Sequence, residues 1–89
     1  MAKRPKLFWD HWNREHIKKY QVAVEEVEEA YENSFAEIAS YKGRKLYFGK
    51  AKNGRLIAVA VSFGKQSGPY PVSVRPMNKK ERQLYYEKN

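Results

Sequence analysis

The run Leu56-Ile57-Ala58-Val59-Ala60-Val61-Ser62-Phe63 is apolar at almost every position. A strand with one wet face alternates apolar and polar residues, whereas a strand apolar on both faces has to be covered on both. This run is therefore expected as the central strand of a sheet with material packed on each side. Just before it stands Asn53-Gly54, the strongest short hairpin signal, expected with positive φ at both positions. A hairpin feeding a central strand commits the chain to antiparallel pairing.

The remaining elements follow from this anchor. Leu46 and Phe48 alternate with Lys45 and Tyr47, so a strand is expected over about 44–50 after a turn at Lys42-Gly43. Residues 35–40 read as the strand before it. Residues 70–75 read as the strand after the central one, reached through a Gly- and Pro-containing loop over 64–69 and closed by Pro76. Upstream, Asp10 can cap a helix over about 11–20, with Trp9, Trp12, Asn13, His16, Ile17 and Tyr20 on one stripe. A second helix is expected over about 23–33. Ala23, Val24, Val27, Ala30 and Tyr31 form its apolar face, opposite Glu25, Glu26, Glu28, Glu29 and Glu32. Asn78 followed by Glu81 is a capping pair for a last helix. The order is ααββββα, an α+β domain over about 9–89 behind a basic, frayed N-terminal arm, residues 1–8. The four-stranded, mainly antiparallel sheet is expected to carry its helices on one face. A cleft should remain where the third and fourth strands meet the last helix.

Charge points toward function. The chain has 18 Lys and Arg against ten Asp and Glu, a net charge of +8. Five of the acids are the glutamates of the second helix, so everything else sets 18 bases against five acids. Such a body attracts nucleic acid or another polyanion over long range, although charge also serves solubility. There is no cysteine, hence no disulfide framework and no thiolate zinc site. His11 and His16 lack companion carboxylates at ligand spacing, so no metal and no cofactor are expected. No apolar run reaches the length of a membrane span, and Met1–Lys6 is basic without the apolar stretch of a signal peptide. A cytoplasmic protein is expected.

The candidate site residues gather at the C-terminal end. Arg75 should project from its strand end, since it alternates with Val72 and Val74, and a guanidinium grips phosphate through two hydrogen bonds. The plain alternative is an arginine paired with a glutamate. Lys79, Arg82 and Tyr86 fall on one helical face. Arg55, at the start of the central strand, is expected to reach the same cleft or else to be a solvated charge. Arg75, Arg55, Tyr86 and Arg82 are thus the candidate catalytic residues, with Lys79, Lys80, Lys45 and Arg44 as nucleic-acid-binding cations. Metal-free RNA cleavage needs a base, stabilisation of charge on the phosphate and an acid for the leaving oxygen; preorganised cations supply the second of these. His16, on the apolar stripe, reads as a packing residue before a catalytic one. Trp9 and Trp12 are expected in the core beneath the sheet, the sharper alternative being an aromatic platform for RNA. The glutamate face reads as a solvated helix surface or as a contact for a basic partner segment.

From about Trp9 to Tyr86 the chain resembles the BrnT family of bacterial toxins, within the broader RelE-like ribonuclease fold. Lys19-Tyr20-Gln21-Val22 stands where the family has Lys-His-Gly-Val, keeping the lysine and valine and replacing the histidine and glycine. Glu25-Glu26-Val27-Glu28-Glu29 is similar to the family's Glu-rich second helix. Arg44 through Gly49 resembles its basic-aromatic strand, and Gly54-Arg55-Leu56-Ile57 its Gly-Arg-Leu strand start. Val74-Arg75-Pro76-Met77 followed by Lys80-Glu81-Arg82 and Tyr85-Tyr86 resembles its C-terminal signature. The resemblance implies a toxin that blocks translation by cleaving RNA and a ribbon-helix-helix antitoxin that binds it. Against this stand two alternatives: a nucleic-acid-binding module without catalysis, and a protein-interaction domain.

Overall fold

The computed structural model describes residues 5–63 and 68–88; part of the loop expected over 64–69, and the first four residues of the expected arm, lie outside them. The element order is α1 (His11–Ile17), a 3-10 turn (Lys18–Tyr20), α2 (Val24–Glu32), β1 (Ala36–Ala39), β2 (Arg44–Lys50), β3 (Leu56–Ser62), β4 (Tyr70–Pro76) and α3 (Lys79–Lys88). The strands form one antiparallel sheet in the order β1-β2-β3-β4. This is the expected α+β class with the expected ααββββα order.

β3 is central and its two faces serve two cores. Ile57, Val59 and Val61 point to one side, where they meet Ile17, Val22, Val27, Ala30 and Tyr31 of the α1–α2 layer, with Tyr47 and Val74 from the neighbouring strands. Fully burying a Val or Ile side chain contributes roughly 1.5–3 kcal/mol, so this line is the main apolar anchor of the sheet. Ala58 points the other way and joins Phe48 and Met77, with Phe35, Leu46 and Leu56 packed around them.

That second cluster corrects one expectation: the helices do not share a face. α1 and α2 cover one side, and α3 lies against the other. Tyr85 of α3 packs edge-on to Phe35, ring centroids 5.2 Å apart, and the Lys50 ammonium sits 5.8 Å above the Tyr85 ring. α2 approaches β2 so closely at Gly49 that a Cβ there would overlap the Ala30 carbonyl group.

Several local features differ from expectation for physical reasons. α1 stops at Ile17 because the chain tightens into the 3-10 turn and Gln21 takes a left-handed φ of 55°. In the β2–β3 hairpin only Gly54 has positive φ, at 94°. The Gly54 amide donates to Ala51 O and the Ala51 amide to Arg55 O, so the connection is a three-residue loop with glycine in the left-handed place. Residues 5–8 of the expected frayed arm are held: Leu7 is buried, the Phe8 amide donates to Pro69 O, and Tyr31 Oη donates to Pro5 O.

Asn13 is fully buried on the α1 stripe. Its Oδ1 accepts from the Asp10 amide while Asp10 accepts from the Asn13 amide, a reciprocal helix cap. Its Nδ2 donates to Phe8 O and to Pro71 O, tying α1 to the N-terminal segment and to β4. Tyr70 adds a second link, donating its phenol to the Asp10 carboxylate at 2.8 Å. Burial and the carboxylate together push the Tyr70 phenol up to about 12.

Candidate nucleic-acid interface

The start of α3 is built by hydrogen bonds that a strand-to-helix corner needs. Asn78 Oδ1 accepts from the Glu81 amide, and Glu81 Oε1 accepts from the Asn78 amide, both at 2.9 Å. Met77, buried beneath the corner, donates its amide to Leu56 O. The Arg82 guanidinium then reaches back to Met77 O at 3.0 Å, which satisfies a carbonyl at the corner and fixes the side chain close to the helix start.

Arg75 is placed by strand parity. It lies across from Ala58, whose side chain faces the Phe48–Met77 cluster, so Arg75 leaves the sheet on the α3 side. There it meets Glu81 in a bidentate pair, Nη1 to Oε1 at 2.6 Å and Nη2 to Oε2 at 2.8 Å. Nη1 also donates to Pro76 O. The guanidinium holds the Glu81 carboxyl below the usual glutamate range, and Glu81 in turn raises Arg75. The glutamate-paired alternative for Arg75 is therefore what the structure shows. The spacing of Asn78 and Glu81 shows the cap in the sequence but not the Arg75 pairing, which depends on α3 folding back over that face of β4.

Along α3, Lys79, Arg82, Gln83 and Tyr86 line one shallow depression of about 230 Å³. Lys79, Arg82 and Tyr86 thus share the helical side that their spacing implied, with Gln83 added between them. Lys79 and Lys80 make no ion pair among the described residues, and Tyr86 is 67% exposed. Tyr85 points inward to Phe35 and carries Tyr86 against its edge, centroids 5.4 Å apart.

Of the other four candidates, three lie elsewhere. Arg55 does not reach this cleft. Its Nη1 donates to Gln21 O at 2.7 Å and to Glu26 Oε2 at 3.2 Å, so it ties the hairpin to the start of α2 on the opposite side of the sheet. Glu26 also accepts from the Ala23 amide and from Asn53 Nδ2, and those contacts, the Ala23 amide first, hold its carboxyl low. Lys45 pairs with Glu37 at 3.0 Å and hangs over Phe63. Arg44 lies on β2 opposite Ser62, four residues from Phe48, which is roughly 13 Å along the strand. Lys80 remains on α3, exposed.

Three of the five glutamates of α2 are structural rather than solvated: Glu26 as above, Glu28 as acceptor for Trp9 Nε1, and Glu29 as acceptor for the Lys52 amide. Trp9 is half-buried against the α2-side core, as expected for it. Trp12 is not in the core; it is 56% exposed and stacks on His16. Among the described residues no group of three His, Cys, Asp or Glu is placed to hold a metal ion, and no helix is long and apolar enough to cross a membrane.

Chemically, the α3 side offers a cationic, phenol-bearing surface anchored to a strand end. Lys79 and Arg82 can hold phosphate oxygens, and Tyr86 can stack on a base or donate a proton. Glu81 is a poor general base, because Arg75 lowers its basicity and occupies both of its oxygens. Both histidines sit on α1, on the other side of the sheet. Comparison with protein-family models, curated proteins and solved structures finds no match.

Proposed function

We propose that this protein engages RNA through α3 and the end of β4, and that it is a toxin of the kind its sequence resembles. In this reading it is a metal-independent endoribonuclease that blocks translation in the cytoplasm and is neutralised by a ribbon-helix-helix antitoxin. The observation that carries the RNA-binding half is the exposed line of Lys79, Arg82 and Tyr86 over one depression. Arg82 is already drawn toward the helix start by Met77 O, so little side-chain freedom is lost when it meets a phosphate.

A second reading, binding without cleavage, draws support from the bidentate Arg75–Glu81 pair and from the location of both histidines on α1. End-labelled single-stranded RNA incubated in EDTA, with and without ribosomes, separates the two. The toxin reading expects cleavage by the wild type and at least a tenfold loss in the Lys79→Ala/Arg82→Ala double variant, with Arg55→Ala unchanged. Intact RNA whose retention by the protein falls steeply with salt supports the binding reading. RNA neither bound nor cut in either setting overturns both.

A further inference from the structure

We infer that the exposed side of α1 is a second nucleic-acid contact, where one base stacks on Trp12; this rests on the reading of the protein as an RNA binder. Trp12 keeps 56% of its surface open and belongs to neither core cluster. It is not loosely held. The His16 ring lies 4.8 Å from it with planes 10° apart, so imidazole covers one face and fixes the indole as a flat shelf. Placed four residues apart, the two rings stack along the helix surface.

Trp12 and His16 line a depression of about 340 Å³ with His11, Glu15 and Lys19, within the size range of pockets that take a small ring system. Glu15 is its one acid, and Lys18 neutralises it at 2.7 Å. Lys19, on the same lining, makes no ion pair among the described residues. A fixed aromatic face beside an unpaired lysine can hold single-stranded nucleic acid with little regard to sequence: the ring takes a base and the cation takes the backbone. Because α1 and α3 lie on opposite sides of the sheet, this contact is separate from the α3 depression.

Intrinsic fluorescence tests the shelf directly, since the chain has two tryptophans and each can be silenced in turn. Titration uses a six-nucleotide single-stranded RNA, with binding followed in parallel by anisotropy of the labelled oligomer. In Trp9→Phe, where Trp12 alone reports, saturation should quench at least half of the emission. In Trp12→Ala, where Trp9 alone reports, emission should stay constant and affinity should fall about tenfold, the loss of one stacked base. Inorganic polyphosphate, which has charge but no bases, should leave Trp12 emission unchanged. Quenching in Lys79→Ala/Arg82→Ala should persist at higher RNA concentration. RNA that binds without changing Trp12 emission, or polyphosphate that quenches it equally, overturns the shelf and leaves the α3 reading standing. Absence of RNA binding by anisotropy overturns both.

Discussion

Gly49→Ala is expected to lower the stability of the domain by about 3 kcal/mol or more, a large fraction of the margin of a protein this small. The cause is contact between backbones. Gly49 sits in β2 on the α2 side, and the added methyl would occupy the space of the Ala30 carbonyl oxygen and carbon. A flexible side chain could move aside, but a helical carbonyl cannot do so without shifting α2. That shift would strip Val27, Ala30 and Tyr31 from Tyr47, Ile57 and Val59. Urea unfolding of Gly49→Ala beside Gly43→Ala checks the argument. At Gly43 nothing lies within 4 Å of an added Cβ and only the positive φ of 73° is at stake, worth about 1–2 kcal/mol. Equal losses at the two positions would mean that α2 does not approach β2 as described.

Asn13→Asp is the second substitution with a large expected effect, about 3 kcal/mol at neutral pH, which corresponds to a fall in melting temperature of roughly 15 °C. Shape is conserved and only the amide nitrogen changes. That nitrogen donates to Phe8 O and Pro71 O in a fully buried position. Carboxylate oxygen there would face two carbonyls and stand near the Asp10 carboxylate, with no donor to meet it. Asn13→Ala should cost less than Asn13→Asp, because it removes the bonds without burying a charge. If the two variants unfold together, the amide is not held as described. Thermal denaturation followed by circular dichroism reads both.

Where a sequence pattern admits one structural reading, it leads directly to structure. β3 is recognisable because it is apolar on both faces, and both faces are in fact covered near its start, by the α1–α2 layer and by the Phe48–Met77 cluster. The corner Asn78–Glu81 is recognisable because a cap needs those side chains at that spacing. Which side of the sheet α3 takes was not recognisable. α3 has few apolar residues of its own, and its seat is made by Phe35 and Lys50, residues of other elements.

The same lack of register information misplaced Arg55. Arg75 faces α3 because it pairs with Ala58, and Arg55 turns toward Glu26 on the other side. On α1, six candidate residues in one stripe were too many for a helix that ends at Ile17. Asn13 and Ile17 take the buried line, and Trp12 and His16, about 100° round the helix, are left to stack on each other. Asn13 itself was visible on the stripe, but its role in holding Pro71 depends on a strand 58 residues away.

The central claim is that RNA meets this protein at α3, and amide chemical-shift mapping tests it most directly. Isotope-labelled protein titrated with a short single-stranded RNA should show its largest changes at Arg75, Lys79, Arg82, Gln83 and Tyr86. Arg55, Glu26 and Gln21 should stay in place. Changes centred on Arg55 and the start of α2, or an unchanged spectrum at saturating RNA, would contradict it.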